Sequence, residues 1–189
     1  MRILLLAICL CLMSNCETSS TSSQNISSSK KEALPKVDAN ANLKALNITL
    51  PELSKPLANY VHTVRTGNLV YTAGKGSAYP DGKLYTGKLG DDLSIEQGQE
   101  AARLAGIRLL ASLQAELGDL NKVKRIVKVL GMVNASPDFT EHSQVINGFS
   151  DLMVAVFGER GKHARSAVGM GSLPKNLAVE IEMVVEVYD

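Results

Sequence analysis

The chain of 189 residues suits one domain plus a tail, because domains cluster near roughly 100 to 150 residues. Its hydrophobic fraction is 45%, and no apolar stretch approaches the roughly 20 residues that cross a bilayer, which excludes an internal transmembrane helix. The net charge of +1 provides no general attraction for nucleic acid. Because the three cysteines are Cys9, Cys11 and Cys16, the rest of the chain has no disulfide framework.

The first sixteen residues have the pattern of an export signal. Met1 and Arg2 form a short positive region, and residues 3–13 are almost continuously apolar but too short to span a membrane. The run Met-Ser-Asn-Cys at 13–16 resembles the lipobox of bacterial lipoproteins, in which the cysteine sulfur is lipidated. We therefore expect residues 1–16 to be a signal peptide with a lipobox-like cysteine, Cys16, which is lipidated and becomes the new N-terminus. The alternative is an ordinary signal peptide cleaved nearby, with Cys16 incidental.

Residues 17–42 are rich in serine, threonine, asparagine and lysine and have few large apolar side chains. Such a segment cannot bury enough surface to offset its ordering entropy, so we expect a flexible tether. Acyl chains on Cys16 contribute about 0.8 kcal/mol per buried methylene, which would hold the protein at a membrane surface. The expected protein is exported, is attached to a membrane by lipid only, and folds over residues 43–189.

The first part of this domain has the pattern of a small sheet. Residues 43–50 predict a short helix or turn before Pro51. Residues 61–65 and 69–73 have the β-branched and aromatic content of a hairpin that turns at Gly67-Asn68. After a glycine-rich loop, residues 84–88 predict a short third strand.

Helices and strands are mixed in the second part. Ser94 and Gln97 form a capping-box pattern before a helical run that ends at Gly118. A strand is predicted over residues 122–133, a helix over 144–157, and strands over 165–170 and 178–187. This order favours an α+β fold in which two helices pack on one face of a mixed sheet.

Three familiar site patterns are present only in part. Gly-Lys-Gly-Ser at 74–77 lacks the upstream glycine and the serine directly after lysine of a phosphate-binding loop. Gly-Phe-Ser-Asp-Leu at 148–152 lacks the final glycine of a nucleophile elbow and lies in a predicted helix. The histidines, His62, His142 and His163, have none of the close spacing of metal ligands, so no metal is implied.

Two charged residues of the last strands are candidates for chemistry. Arg165 opens a strand, and its guanidinium can hold a substrate carboxylate through two parallel hydrogen bonds. By position alone, an ordinary surface ion pair explains this arginine better. Strand alternation puts Glu180 and Glu182 on one face, opposite Val179 and Ile181. Taken alone, that arrangement indicates a solvated sheet face.

Three separated blocks, Arg-Ser at 165–166, Leu-Pro-Lys at 173–175 and Val-Glu-Ile-Glu at 179–182, match the RidA (YjgF) family of enamine and imine deaminases in spelling and spacing. Upstream blocks at 59–61, 67–74, 118–120 and 145–147 follow in the expected order, and Gly-Lys-His-Ala-Arg-Ser-Ala-Val-Gly at 161–169 resembles a side branch. The resemblance implies a chorismate-mutase-like α+β fold, a homotrimer with active sites in clefts between subunits, and no cofactor.

The resemblance also implies roles for individual residues. Arg165 would hold the substrate carboxylate, and Glu180 would position or activate the attacking water. Tyr60 would line the cleft, and Gly74 would provide backbone contacts. Ala167 and Ala73 stand where many deaminases of the family carry cysteine and serine, so two polar contacts near the substrate are absent. For His163 the sequence leaves a cleft role and a packed or solvent-facing loop role both open.

The expected function is hydrolytic deamination of reactive enamine and imine intermediates of small amino acids to 2-keto acids and ammonia. The alternative is a non-catalytic trimeric module that binds a small carboxylate outside the cytoplasm. Retention of both Arg165 and Glu180 favours the enzyme, whereas export favours the module. A ribonuclease has little support, because the charge is near neutral and the chain has only three phenylalanines and five tyrosines.

Overall fold

The computed structural model describes residues 34–56 and 58–188. Cys16, the expected signal peptide and most of the expected tether therefore lie outside the described residues. The helices and strands are α1 (Ala39–Ala45), β1 (Thr63–Thr66), β2 (Leu69–Thr72), β3 (Lys75–Gly76), α2 (Ile95–Leu117), β4 (Val123–Asn134), α3 (His142–Phe157), β5 (Ala164–Met170) and β6 (Val179–Val187). None of the helices in the described part is both long and apolar enough to cross a membrane.

The folded domain begins earlier than residue 43. Helix α1 starts at Ala39 because the Asp38 side chain accepts a hydrogen bond from the backbone N–H of Ala41. Ala39 is 1% exposed, and the Asn42 side chain donates to the carbonyl of Val156 at 2.9 Å. The expected tether boundary at 42 is thus corrected, because residues 39–42 belong to a helix packed on the domain. The helix or turn expected over 43–50 is confirmed over 43–47, with a start four residues earlier than expected.

The sheet contains six strands within the described range, in the order β1-β2-β6-β4-β5, with β3 pairing separately on β6. Neighbours are antiparallel except for β4 and β5, which are parallel. The hairpin between β1 and β2 turns at Gly67, whose φ of 57° favours glycine. The third strand expected over 84–88 is wrong, because that segment makes only isolated bridges, Ala78 to Leu84 and Thr86 to Leu177. The third strand is instead the two-residue β3.

Two helices cover one face of this sheet, as the sequence predicts. The Ser94 side chain and the Gln97 side chain form both hydrogen bonds of a capping box at the start of α2. Gly118 ends the helix in the left-handed region at φ 72°. Helices α2 and α3 pack on each other, α2 packs on β6, and α3 packs on β4 and β5. The α+β fold with two helices on one face of a mixed sheet is confirmed.

Strand β6 lies near the middle of the sheet and sets its two faces. Its alternate residues from Val179 to Val187 are buried towards the helices. Gly131 of β4 lets α3 approach closely, since a Cβ at this position would overlap the Ile146 side chain. Glu180 and Glu182 point away from the helices, as strand alternation predicts.

Candidate functional site

Glu180 and Gly74 meet at the junction of β3 and β6. Gly76 of β3 pairs with Glu180, and Gly74 directly precedes this strand. A Cβ at position 74 would overlap the Glu180 carboxylate oxygen Oε1, so the carboxylate lies directly against the bare backbone of Gly74. Burial raises the pKa of Glu180, and the neighbouring charge of Glu182 adds to the rise. The site therefore contains an acid–base group whose pKa is moved towards neutrality.

Arg165 lies on β5 and is turned towards α3. Its Nη1 donates to Asn147 Oδ1 at 3.0 Å and to Ser150 Oγ at 2.9 Å. Its Nη2 donates to the backbone carbonyl of Ser143 at 3.2 Å. Of the five N–H donors of a guanidinium, three are thus engaged by one helix. This arginine joins the edge strand to α3 by charge-assisted hydrogen bonds.

Strand pairing places Arg165 and Glu180 on opposite faces of the sheet. Arg165 pairs with Val129, which pairs with Met183, and the latter two residues are buried beneath the helices. Glu180 pairs with Met132, which is three residues from Val129 on β4 and therefore points to the opposite face. Residues that pair across strands share a face of the sheet. One chain therefore brings Glu180 and Gly74 together but does not bring Arg165 to them.

Tyr60 precedes β1 and is 50% exposed. Its electrostatic neighbour is Arg108 of α2. Burial lowers the pKa of Arg108, and Tyr60 opposes that lowering. Within one chain, Tyr60 is thus associated with α2 rather than with Arg165.

Comparison with known proteins gives the family of the chain. The family model described as "YjgF/chorismate_mutase-like, putative endoribonuclease" matches residues 40–187. This chain belongs to the YjgF (RidA) family. Protein TCP17 of Trypanosoma cruzi is 46% identical over 147 residues, which cover 77% of this chain and 92% of that protein. The 2-iminobutanoate/2-iminopropanoate deaminase of Dermatophagoides farinae is 29% identical over 139 residues, 73% of this chain and 93% of that enzyme.

A solved structure has a fold similar to that of this chain. An Agrobacterium tumefaciens protein of unknown function matches with a TM-score of 0.73 and 43% sequence identity. The match covers 79% of this chain and 92% of that protein. This chain and that protein therefore share their fold along nearly the whole domain.

The run at 161–169 that resembles a branch of the YjgF family forms a packed cluster around α3. His163 Nδ1 lies 2.6 Å from the carbonyl of Gly161, and its Nε2 lies 3.1 Å from Ser150 Oγ. The bond to the carbonyl requires a proton on Nδ1, so Nε2 accepts the Ser150 hydroxyl hydrogen. The His163 ring also packs edge-on against Phe149. Burial lowers the pKa of His163, the Gly161 bond opposes this, and Arg165 lowers it further.

These partners of Arg165 were not expected from the sequence. Ser143, Asn147 and Ser150 follow one another at helical spacings of four and three residues, which puts them on one stripe of α3. Their spacing on one stripe of the predicted helix was the signal that could have identified them. Ser150 is the serine of the incomplete nucleophile elbow, and its hydroxyl joins Arg165 to His163.

Proposed function

We propose that this chain hydrolyses reactive imines of small amino acids, together with the enamines that interconvert with them, to 2-keto acids and ammonia. The observation that carries the proposal is the Glu180 carboxylate, half-buried against Gly74 with a raised pKa. In this reaction water attacks the C=N carbon while Glu180 takes up a proton from the water and returns it to nitrogen, which gives a carbinolamine with a hydroxyl and an amino group on one carbon. Glu180 then moves the hydroxyl proton to the amino group, the C–N bond breaks, and ammonia leaves as the carbonyl forms.

A raised carboxyl pKa suits this role, because a general base works best with a pKa near the working pH. The mite deaminase, whose name gives the same reaction class, supports the proposal from the side of sequence. The family resemblance supplies the same assignment for Glu180, with Gly74 contributing its backbone.

The substrate carboxylate is proposed to bind Arg165. The bonds to α3 leave the Nε–H and one Nη2 hydrogen of this guanidinium without a partner among residues 34–56 and 58–188. Nε and Nη2 are neighbours on the guanidinium plane, and such a pair of N–H donors can grip a carboxylate through two bonds. The same helix contacts hold the fork in one orientation, which reduces the entropy lost on binding.

Because Arg165 and Glu180 lie on opposite sheet faces of one chain, the proposed site needs a second copy of the chain. β5 is an edge strand of the sheet, so another subunit can approach it. We propose the homotrimer that the family resemblance implies, in which Arg165 of one subunit faces Glu180 of the next.

The test generates 2-iminopropionate with an amino-acid oxidase and measures its trapping by semicarbazide with and without the protein. Wild type should reduce semicarbazone formation. Glu180→Gln preserves shape and a hydrogen bond but removes the base, so turnover should fall by about 10² to 10⁴-fold. The matched control is Glu182→Gln, which should retain activity. Because Glu182 adds to the raised pKa of Glu180, this control should also move the acid limb of the pH profile to lower pH.

Equal activity of Glu180→Gln and wild type would refute the assignment of the base. If wild type hydrolyses no imine in a panel of side chains, the enzyme proposal fails. The carboxylate-binding module would replace it if a small carboxylate then binds with an affinity that Arg165→Ala abolishes.

A further inference from the structure

A cavity of about 530 Å³ lies on the helix side of β3, away from the Glu180 face. Lys75 reaches this side because it pairs with Ile181, which is buried beneath the helices, whereas the next residue of β3 pairs with Glu180. Helix α2 forms one wall, and the segments 47–54 and 78–84 form the others. The cavity is within the size range of small-molecule sites, roughly 300 to 1,000 Å³.

Lys75 presents a buried amino group to this cavity. The residue is 7% exposed, and its Nζ lies 2.6 Å from His62 Nδ1. His62 Nε2 lies 2.8 Å from the Ser54 carbonyl, which can only accept a hydrogen. The imidazole proton is therefore on Nε2, and Lys75 donates to Nδ1. Of the three donors of its ammonium group, this bond uses one.

Arg108 of α2 lines the same cavity, and its Nη1 donates to the Gly76 carbonyl at 2.8 Å. Neither Lys75 nor Arg108 forms an ion pair with a carboxylate in the described part of the chain. Two acids also line the cavity, but neither is paired with these two cations: Glu100 pairs with Arg103 at 3.7 Å, and Glu52 is exposed. Buried charges are costly unless they are paired, so the cavity contains two cations that an anion would balance.

The remaining walls are largely apolar. They include aliphatic side chains of α2 and both segments, namely Ile48, Leu53, Leu84, Leu104 and Ile107. A polyphosphate would find few donors here, whereas one carboxylate on a short apolar body would match both the cations and the walls.

We infer that this cavity is a binding site for a small monocarboxylate, whose carboxylate is held by Lys75 and Arg108 and whose aliphatic or aromatic body packs on the apolar walls. The site is distinct from that of the proposed deaminase, because it lies on the other face of the sheet and is lined by one chain. It does not depend on the proposed function.

The first test is isothermal titration calorimetry of the full-length chain at pH 7 with butyrate, 4-methylpentanoate and benzoate. Each carboxylate has a matched amide of nearly the same shape. At least one carboxylate should bind, and its amide should bind at least about tenfold more weakly, since hydrogen bonds to charged groups contribute this much. This comparison uses only wild-type protein, so it does not depend on the folding of a variant.

Variants then assign the contacts. Lys75→Met and Arg108→Met should each weaken carboxylate binding by about tenfold or more. The matched control is Lys162→Met, because Lys162 does not line the cavity, is exposed and is paired with Glu159, so its loss should change affinity little. The inference is overturned if no carboxylate binds, if the amides bind equally well, or if affinity survives both cavity substitutions.

Proton uptake separates a ligand contact from a structural role for Lys75. Its pKa is about 8, lowered by burial and then by Arg108, so at pH 8.5 much of the free protein has a neutral amine. A bound carboxylate favours the ammonium form, and binding should therefore take up protons at pH 8.5 but not at pH 6.5. Titrations in two buffers of different ionisation enthalpy measure this uptake, and Lys75→Met should abolish it.

Other charged or titratable side chains also line the cavity and face the bound ligand. They are Glu52, His62, Tyr79, Glu100, Arg103 and Arg108.

Discussion

Replacement of Lys75 by methionine should change how folding stability depends on pH. Burial and the charge of Arg108 lower the pKa of Lys75 from 10.5 in the unfolded chain to about 8 in the folded protein. Below pH 8 the amine is charged in both states, and the buried charge costs stability. Between pH 8 and 10.5 the unfolded state binds more protons than the folded state, so stability rises with pH. Above 10.5 the cost is absent.

The magnitude follows from the two pKa values. The difference between 10.5 and about 8, at 1.36 kcal/mol per pH unit, comes to about 3 kcal/mol. Most of it, roughly 2 to 3 kcal/mol, should be gained between pH 7 and pH 10. Methionine occupies a similar volume without a charge, so its variant should be no less stable than wild type at pH 7.

The assay is urea unfolding of wild type and Lys75→Met at pH 7, 8.5 and 10, without added carboxylate. Subtraction of the two free energies of unfolding at each pH removes the titrations that both proteins share. From pH 7 to pH 10, the free energy of unfolding of wild type should rise by roughly 2 to 3 kcal/mol relative to that of the variant. A difference that stays constant with pH would refute the reasoning, because it would mean that Lys75 has the same pKa in both states.

Three further predictions concern the other face, the assembly and the N-terminus. Gly74→Ala should lower imine hydrolysis with little change in melting temperature, because the added Cβ displaces the flexible Glu180 carboxylate. Enzyme kinetics and thermal unfolding test this prediction, and unchanged kinetics would contradict it. Light scattering on the domain from residue 34 should give a trimer, and a clean monomer at micromolar concentration would remove the proposed site. Radiolabelled palmitate should enter wild type but not Cys16→Ser in a bacterial host, and label retained in the variant would end the lipoprotein prediction.

The helix ends could be predicted because their signals are local. Ser94, Gln97 and Gly118 act within a few residues of the backbone groups they satisfy. The strands could be predicted because β-branched residues alternate on them, and the paired β4 and β6 run within a residue of the expected ranges. These features need no knowledge of which strand lies beside which.

Two elements could not be predicted because their stability comes from distant contacts. Helix α1 begins in an asparagine-rich stretch that favours a tether by composition. Its backbone N–H at Ala39 nevertheless donates to Asn121 Oδ1 at 2.8 Å, and Asn42 bonds to α3. Strand β3 is too short for any alternation to be visible, and it exists because it pairs with β6. The sequence therefore predicts a loop at Lys75, and nothing in it indicates that the amine is buried.

The candidate site shows the same division between local and distant information. The sequence puts Arg165 and Glu180 on strands, but the relative face of two strands depends on the pairing of β4 with both neighbours. Arg165 pairs with Val129 and Glu180 pairs with Met132, and the β4–β6 ladder is regular between these two positions. A pairing shifted by one residue on either side of β4 would exchange the faces, so strand alternation alone cannot relate Arg165 to Glu180.

That arrangement makes the two proposed sites differ in their dependence on assembly. The imine site needs Arg165 and Glu180 from different subunits, so its specific activity should fall when the protein is diluted below its assembly concentration. The Lys75 cavity is lined by a single chain, so carboxylate binding there should be independent of dilution. Activity and binding measured over the same concentration series, with light scattering to follow the oligomer, distinguish the two. Loss of both together would show that the cavity forms only in the assembly, and constant specific activity in a dissociated monomer would show that the deaminase chemistry does not require Arg165 to face Glu180.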